Sequence, residues 1–203
     1  MQWPRSYCNV LNMVDEQCYP PVPHRFTVHG LWPQISRGRN DCRDTRRNGP
    51  YHPLNWNQVH LNGREVRLLN YYWRDLRAPE GYSQSFWATE YNKHGSCTFN
   101  NPTWYFRLTL ILVGNFGIFD LRSRLFHLPI GRRIIPGNIY PSTFIRDAVY
   151  SVTHRIPILH CVEIDYVFQL LEIRFCANRD SRQLRNCVFS SNCGNSGVLI
   201  PLA

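Results

Sequence analysis

The sequence is poor in acid, almost without lysine, and free of long apolar runs. Asp and Glu number 14 against 23 Lys and Arg, which leaves a net charge of +9 and a pI near 9.4. Lys93 is the only lysine, so the positive charge is carried by arginine, whose planar fork suits bidentate contacts to phosphate. No apolar stretch approaches the roughly 20 residues of a membrane-spanning helix; the longest lies around Leu108 to Val113, and no membrane span is expected. Repeated CxxC pairs, HExxH, GxSxG, P-loop and GxGxxG patterns are all missing. Zinc-site, metalloprotease, serine-hydrolase, NTPase and dinucleotide-binding readings therefore lose their support. The basic balance favours a polyanionic partner such as RNA, acidic polysaccharide or an anionic membrane surface, although solubility alone accounts for it equally well.

What is present in quantity is cysteine. Cys8, Cys18, Cys42, Cys97, Cys161, Cys176, Cys187 and Cys193 make an even set of eight, scattered along 203 residues. Four disulfides formed in an oxidising compartment are the expectation. The opening Met1-Gln2-Trp3-Pro4 has no charged n-region followed by an apolar segment, so a signal peptide, and with it the start of a first strand, is expected to have been removed. With 43% hydrophobic and 14% aromatic residues, the chain 1–203 is expected to fold as one domain.

Periodicity places the elements. HRFTVHGLW at 24–32 alternates apolar and polar residues and reads as a strand delivering His29 near its end. The stretch 36–58 reads as a polar surface region. Val66, Leu69, Tyr72, Trp73 and Leu76 recur at three- and four-residue steps, predicting a helix that stops before Pro79. A second helix follows over 104–116. A third starts at Pro141-Ser142, with Ser142 as N-cap and Phe144, Ile145, Ala148, Val149 and Val152 on its apolar face. YVFQLLEIRFCA at 166–177 predicts a long, mostly buried strand. Helices and strands mix without a regular βαβ rhythm, which points to an α+β fold with a central antiparallel sheet packed by several helices.

Two segments gather titratable groups at turns: FTVHGLWP at 26–33 and FWATEYNKHGSC at 86–97. In the second, Glu90, Lys93 and His94 stand at i, i+3 and i+4, which on a helical turn brings carboxylate, ammonium and imidazole to one face. An ordinary salt-bridged helix face has the same spacing, and a strand-end histidine such as His29 is more often structural than catalytic. Metal-free acid–base chemistry on a phosphate is the reading left standing, since two imidazoles can exchange acid and base roles while an ammonium offsets developing negative charge.

HGLWP at 29–33 and FWATEYNKHGSC at 86–97 resemble the two signature segments of the T2-type ribonuclease family, whose patterns are HGLWP and, roughly, FWxHEWxKHGxC. QWPRSYC at 2–8 and LLNYYWRDL at 68–76 are similar to further family segments, and the cysteine order fits its plant members. The resemblance implies a secreted endoribonuclease acting on single-stranded RNA without cofactor or metal. In it His94 takes the proton of the 2′-hydroxyl, His29 protonates the departing 5′-oxygen, Glu90 and Lys93 stabilise the pentacovalent phosphate, and the product is a 2′,3′-cyclic phosphate. Trp32, Phe86, Trp87 and Thr89 are then the candidate substrate-binding residues, with core packing at least as good a reading for the three aromatics. The family order also implies the pairs Cys8–Cys18, Cys42–Cys97, Cys161–Cys193 and Cys176–Cys187.

The chain departs from the family pattern at Thr89, where most members carry a second histidine, and at Tyr91 in place of a tryptophan. With the alkaline pI, these changes resemble the style ribonucleases of gametophytic self-incompatibility. Their partners would be pollen F-box recognition proteins, met by a monomer through the arginine-rich stretch 36–67. The usual N-glycosylation sequon of that subclass is missing, because Asn101-Pro102-Thr103 is blocked by its proline. An S-like ribonuclease for defence or phosphate scavenging, and a catalytically silent storage or binding protein, are the competing readings.

Overall fold

A computed structural model describes residues 1–33, 41–43, 52–115, 117–178, 183–188, 190–194 and 197–202. The chain divides into two compact units, one built from Met1–Val28 with Val113–Ala203 and the other from His29–Leu112.

In the first unit the centre is a four-stranded sheet. Strands β2 (Ile158–Ile164) and β3 (Val167–Arg174) pair antiparallel from Ile164↔Val167 to Ile158↔Arg174. Asp165 and Tyr166 join them, both at positive φ, as a tight hairpin that follows the natural twist of the strands requires. β3 then pairs in parallel with β6 (Gly197–Leu199), and β6 pairs antiparallel with β1 (Ile139–Pro141), giving the order β1-β6-β3-β2. The strand expected over 166–177 is thus interrupted. β4 (Cys176–Ala177) leaves the main sheet to pair with β5 (Leu184–Arg185), where the Cys176–Cys187 disulfide holds it.

Helix α1 (Pro4–Asn12) starts on a proline, whose missing N–H is one of the unpaired amides of a first turn in any case. Trp3, fully buried just before it, packs against Phe26 at 4.9 Å and donates its indole N–H to the Pro201 carbonyl. The strand expected at 24–32 reduces to one backbone bridge, Gln2 to Thr27. Gln2 also bridges Glu172, with Trp3 N–H donating to the Leu171 carbonyl and Ile173 N–H donating to the Met1 carbonyl, so the short stretch Met1–Trp3 rather than a paired strand connects this segment to β3. Helix α6 (Ser142–Thr153) buries Ile145, Ala148, Val149 and Val152, as its periodicity predicts. Pro141 rather than Ser142 occupies the N-cap, because the Ser142 hydroxyl donates instead to the Gly194 carbonyl. With Leu121 and Leu125 of α5 (Leu121–Phe126), these side chains meet Leu159, Leu170, Ile173 and Val198 in one core. Cys8–Cys18 and Cys161–Cys193 are the unit's other disulfides.

The second unit is helical. Helix α2 (Gly63–Tyr72) opens on a capping box, in which the Asn62 side chain accepts from Glu65 N–H and the Glu65 carboxylate accepts from Asn62 N–H. It ends one turn earlier than expected, at Trp73, whose indole and carbonyl are both committed elsewhere, while Leu76 is buried outside the helix. Helix α3 (Gln84–Glu90) runs directly into a wider, π-helical turn over Tyr91–Gly95. Helix α4 (Pro102–Asn115) follows, with the Asn101 side chain accepting from Trp104 N–H at its start. Trp73, Trp87, Tyr91, Tyr105 and Phe106 pack together as this unit's aromatic core.

Ile173, fully buried in β3, is a sensitive point of the first unit. Ile173→Ala is expected to lower unfolding free energy by about 2–5 kcal/mol. Denaturant titration checks this; a cost below about 1 kcal/mol would show that the β3 face is not packed as described.

Candidate active site

Three tryptophan indoles arrange the second unit around one carboxylate. Trp87 of α3 donates to the Trp73 carbonyl at 2.6 Å, and Trp73 in turn donates to the His29 carbonyl at 2.8 Å, so the backbone at His29 is tied through Trp73 to α3. Glu90, the last residue of α3 and 5% exposed, accepts from the Trp32 indole at 2.8 Å through Oε2. Its Oε1 lies 4.0 Å from His29 Nε2, and its Oε2 lies 4.0 Å from His94 Nε2. One buried carboxylate therefore stands between two imidazoles that are 65 residues apart in sequence (94 − 29). The histidines differ in access. His94 is 4% exposed and His29 30%, both measured on the side chain.

Aromatic rings wall the pair. Trp32 meets His29 edge-on at 5.0 Å and His94 at 5.2 Å, while Phe86 stacks on His29 at 6.3 Å. Tyr105 donates its hydroxyl to the Leu31 carbonyl, bracing the HGLWP turn from α4. Burial, with the Glu90 charge adding to it, raises the Tyr105 pKa well above the usual tyrosine range and keeps the hydroxyl a donor. Burial likewise raises that of Tyr91, whose hydroxyl donates to the Phe99 carbonyl.

Two glycines are required by space. A Cβ at Gly30 would overlap Glu90 Oε2 and Trp32 Nε1, and one at Gly95 would come within 2.8 Å of the Tyr91 ring and 3.0 Å of the Tyr105 ring. The Cys42–Cys97 disulfide clasps the end of this segment, and Cys42 N–H donates to the Lys93 carbonyl at 2.6 Å.

The residues singled out from the sequence separate here. His29, Glu90, His94, Trp32 and Phe86 come together. Lys93 stands on the π-helical turn between Glu90 and His94. Among the described residues its ammonium makes no ion pair, although its charge, after the dominant Arg43 hydrogen bond, helps hold Asp41 at about 2. Trp87 is a core residue, 3% exposed, with its indole committed to Trp73, and offers no stacking face. Thr89 is exposed and donates its hydroxyl back to the Ser85 carbonyl, so that donor is already engaged. Trp73, Tyr105, Gly30 and Gly95 were not singled out for a role at this site. Their signal is the density of tryptophan, tyrosine and glycine in and beside the two motifs.

The fold is that of T2-type ribonucleases. A crystal structure of the self-incompatibility associated SF11-RNase of Nicotiana alata superposes with a TM-score of 0.76 at 29% identity, covering 98% of this chain and 95% of that one. Ribonuclease MC1 from bitter gourd seeds gives 0.77 at 25% identity over the same shares. The chain belongs to the ribonuclease T2 family, whose model matches residues 1–187, and it is a T2-type endoribonuclease. In sequence it is 29% identical to extracellular ribonuclease LE of Solanum lycopersicum over 96% of this chain and 82% of that protein.

The position of Glu90 is expected to be the tightest tolerance in the site. Gly30→Ala should displace the carboxylate and cost about 100-fold in kcat/KM for RNA, the scale of an ångström misplacement. Trp32→Phe, which keeps the ring and removes the N–H, should cost about tenfold or more through the lost bond to a charged acceptor. Steady-state kinetics with circular dichroism as the folding control checks both; full activity in a folded Gly30→Ala protein would refute the packing argument.

Proposed function

We propose that the chain cleaves single-stranded RNA by transphosphorylation, with His94 as general base, His29 as general acid and Glu90 as the charge between them. The observation that carries this reading is the Glu90 carboxylate 4.0 Å from each imidazole. His94 removes the 2′-hydroxyl proton, and the resulting oxygen attacks phosphorus. The 5′-oxygen leaves with a proton from His29, giving a 2′,3′-cyclic phosphate and a free 5′-hydroxyl. His94 ends the step protonated and His29 neutral, so the reverse exchange resets the pair. DNA lacks the attacking hydroxyl and is spared. Lys93 acts as the nearby cation, moving onto the phosphate when substrate binds, and Trp32 and Phe86 offer the ring surfaces for a base.

The two units work as one ribonuclease domain in this reading, which the family match across both supports. A point mutant of ribonuclease MC1 has been solved in complex with 5′-GMP, which supports nucleotide binding by this fold. Secretion fits four disulfides and the extracellular naming of a relative. We assign the biological role to self-incompatibility, as a style cytotoxin, on the strength of the alkaline pI, Thr89 and the 28% identity to ribonuclease S-F11 of Nicotiana alata over 98% of this chain and 94% of that protein. The similar identity to the extracellular enzyme of tomato favours the S-like role as a second reading. Recognition of a pollen F-box protein by a monomer is assigned to 36–67. Of that stretch 36–40 and 44–51, with Arg37, Arg39, Arg46 and Arg47, lie outside the described residues.

His29→Ala and His94→Ala are each expected to lower kcat on single-stranded RNA by about 10²- to 10⁴-fold while the protein stays folded. Near wild-type turnover in either folded variant would end the two-histidine mechanism. Thr89→His is expected to raise activity several-fold: the position is exposed, so the ring has room, and an added imidazolium can stabilise the phosphorane. Turnover at or below the wild-type level in a stable Thr89→His protein would show that position 89 does not reach the phosphate.

A further inference from the structure

Far along the chain from both motifs, the segment after α5 makes a turn of unusual composition. Arg132 N–H donates to the Pro129 carbonyl at 2.9 Å, and Gly131 sits at a φ of +89°, which defines a turn with Ile130 at its apex. Ile130 is 88% exposed, whereas its flanks are anchored. Leu128 packs against the core of the first unit, and fully buried Ile134 donates its N–H to the Leu125 carbonyl. The apex is thus presented by a fixed base. Next to it stand Arg132 and Arg133, both exposed, and then Ile135, itself 39% exposed. Exposed Arg122, its guanidinium 4.9 Å above the Phe126 ring, adds a further cation to the same segment. No aspartate or glutamate occurs from Leu121 to Arg146.

A lone exposed isoleucine is ordinary on a protein surface. An isoleucine held at a turn apex, flanked by arginines in a stretch without acid, matches one chemistry in particular. The cations meet anionic headgroups, and the apolar tip enters the boundary between headgroup and acyl chain. RNA would use the arginines but offers no seat for the isoleucine. We propose that the turn Pro129–Ile135 is an interfacial anchor for anionic lipid bilayers. That no single helix among the described residues is long and apolar enough to cross a membrane is no objection, since adsorption needs none. The anchor belongs to the first unit and does not depend on the RNA-cleaving residues, all of which lie in the second.

The test is co-sedimentation of the full chain with vesicles of equal parts phosphatidylserine and phosphatidylcholine, against vesicles of phosphatidylcholine alone. Binding to the first and not to the second is expected. Arg132→Gln with Arg133→Gln should weaken binding about 25-fold, from roughly fivefold for each basic residue at an anionic surface. Ile130→Asp should weaken it at least as much. Both changes lie at exposed positions and should leave RNA cleavage unaltered. Arg146→Gln with Arg185→Gln, an equal loss of charge at exposed positions elsewhere in the unit, should leave vesicle binding within about twofold, since attraction to the surface falls off over a Debye length. The proposal is overturned by no binding to the anionic vesicles, by equal loss in the two arginine pairs, which would mark a mere net-charge effect, or by binding that survives Ile130→Asp.

Discussion

Glu90 is a charge withdrawn from water, and much of the second unit is arranged around meeting the cost of that withdrawal. An unpaired buried carboxylate would be destabilising by several kcal/mol. The Trp32 indole and two flanking imidazoles supply the partners, and the surrounding rings hold those partners in place. Gly30 leaves the gap through which the carboxylate and the indole meet. Trp73 and Trp87 use their polar edges on backbone carbonyls, so that the largest apolar side chains of the unit also set its hydrogen-bond geometry. In this site packing and electrostatics are carried by the same residues.

The site was partly legible in the sequence because its residues occur in two short segments with turn chemistry around them. What the segments alone could not convey is which face each residue takes. Trp87 and Phe86 are neighbours, yet one is sealed in the aromatic core and the other lies beside His29. Lys93 has helical spacing from Glu90, but the backbone there adopts a wider turn, a tertiary effect that no periodicity announces. The helix over Ser142–Thr153 was readable because its apolar stripe is complete, whereas its first turn was not, since Ser142 is claimed by a partner 52 residues away.

Strands were harder to read than helices for a related reason. The alternation at 24–32 correctly marks Phe26 and Val28 as buried, but burial on one side does not make a strand without a continuous backbone partner, and Gln2 serves two neighbours at once. Over 166–177 composition speaks for one extended element, yet the main-sheet strand ends at Arg174, and Cys176, crosslinked to Cys187, pairs with β5 instead. Eight cysteines allow about a hundred connectivities, so spacing by itself does not reveal which partner Cys176 takes.

The π-helical turn at Tyr91–Gly95 gives the count of residues a meaning separate from their identity. Inserting one residue between Glu90 and His94 would place the histidine at i+5, where an ordinary helix sets the imidazole about 140° around the axis from the carboxylate, on a different face. Every side chain of the motif would survive the insertion, and the pair would still be broken. Insertions and deletions in this stretch are therefore changes of angle, and gap placement there reports on geometry in a way that substitution patterns do not.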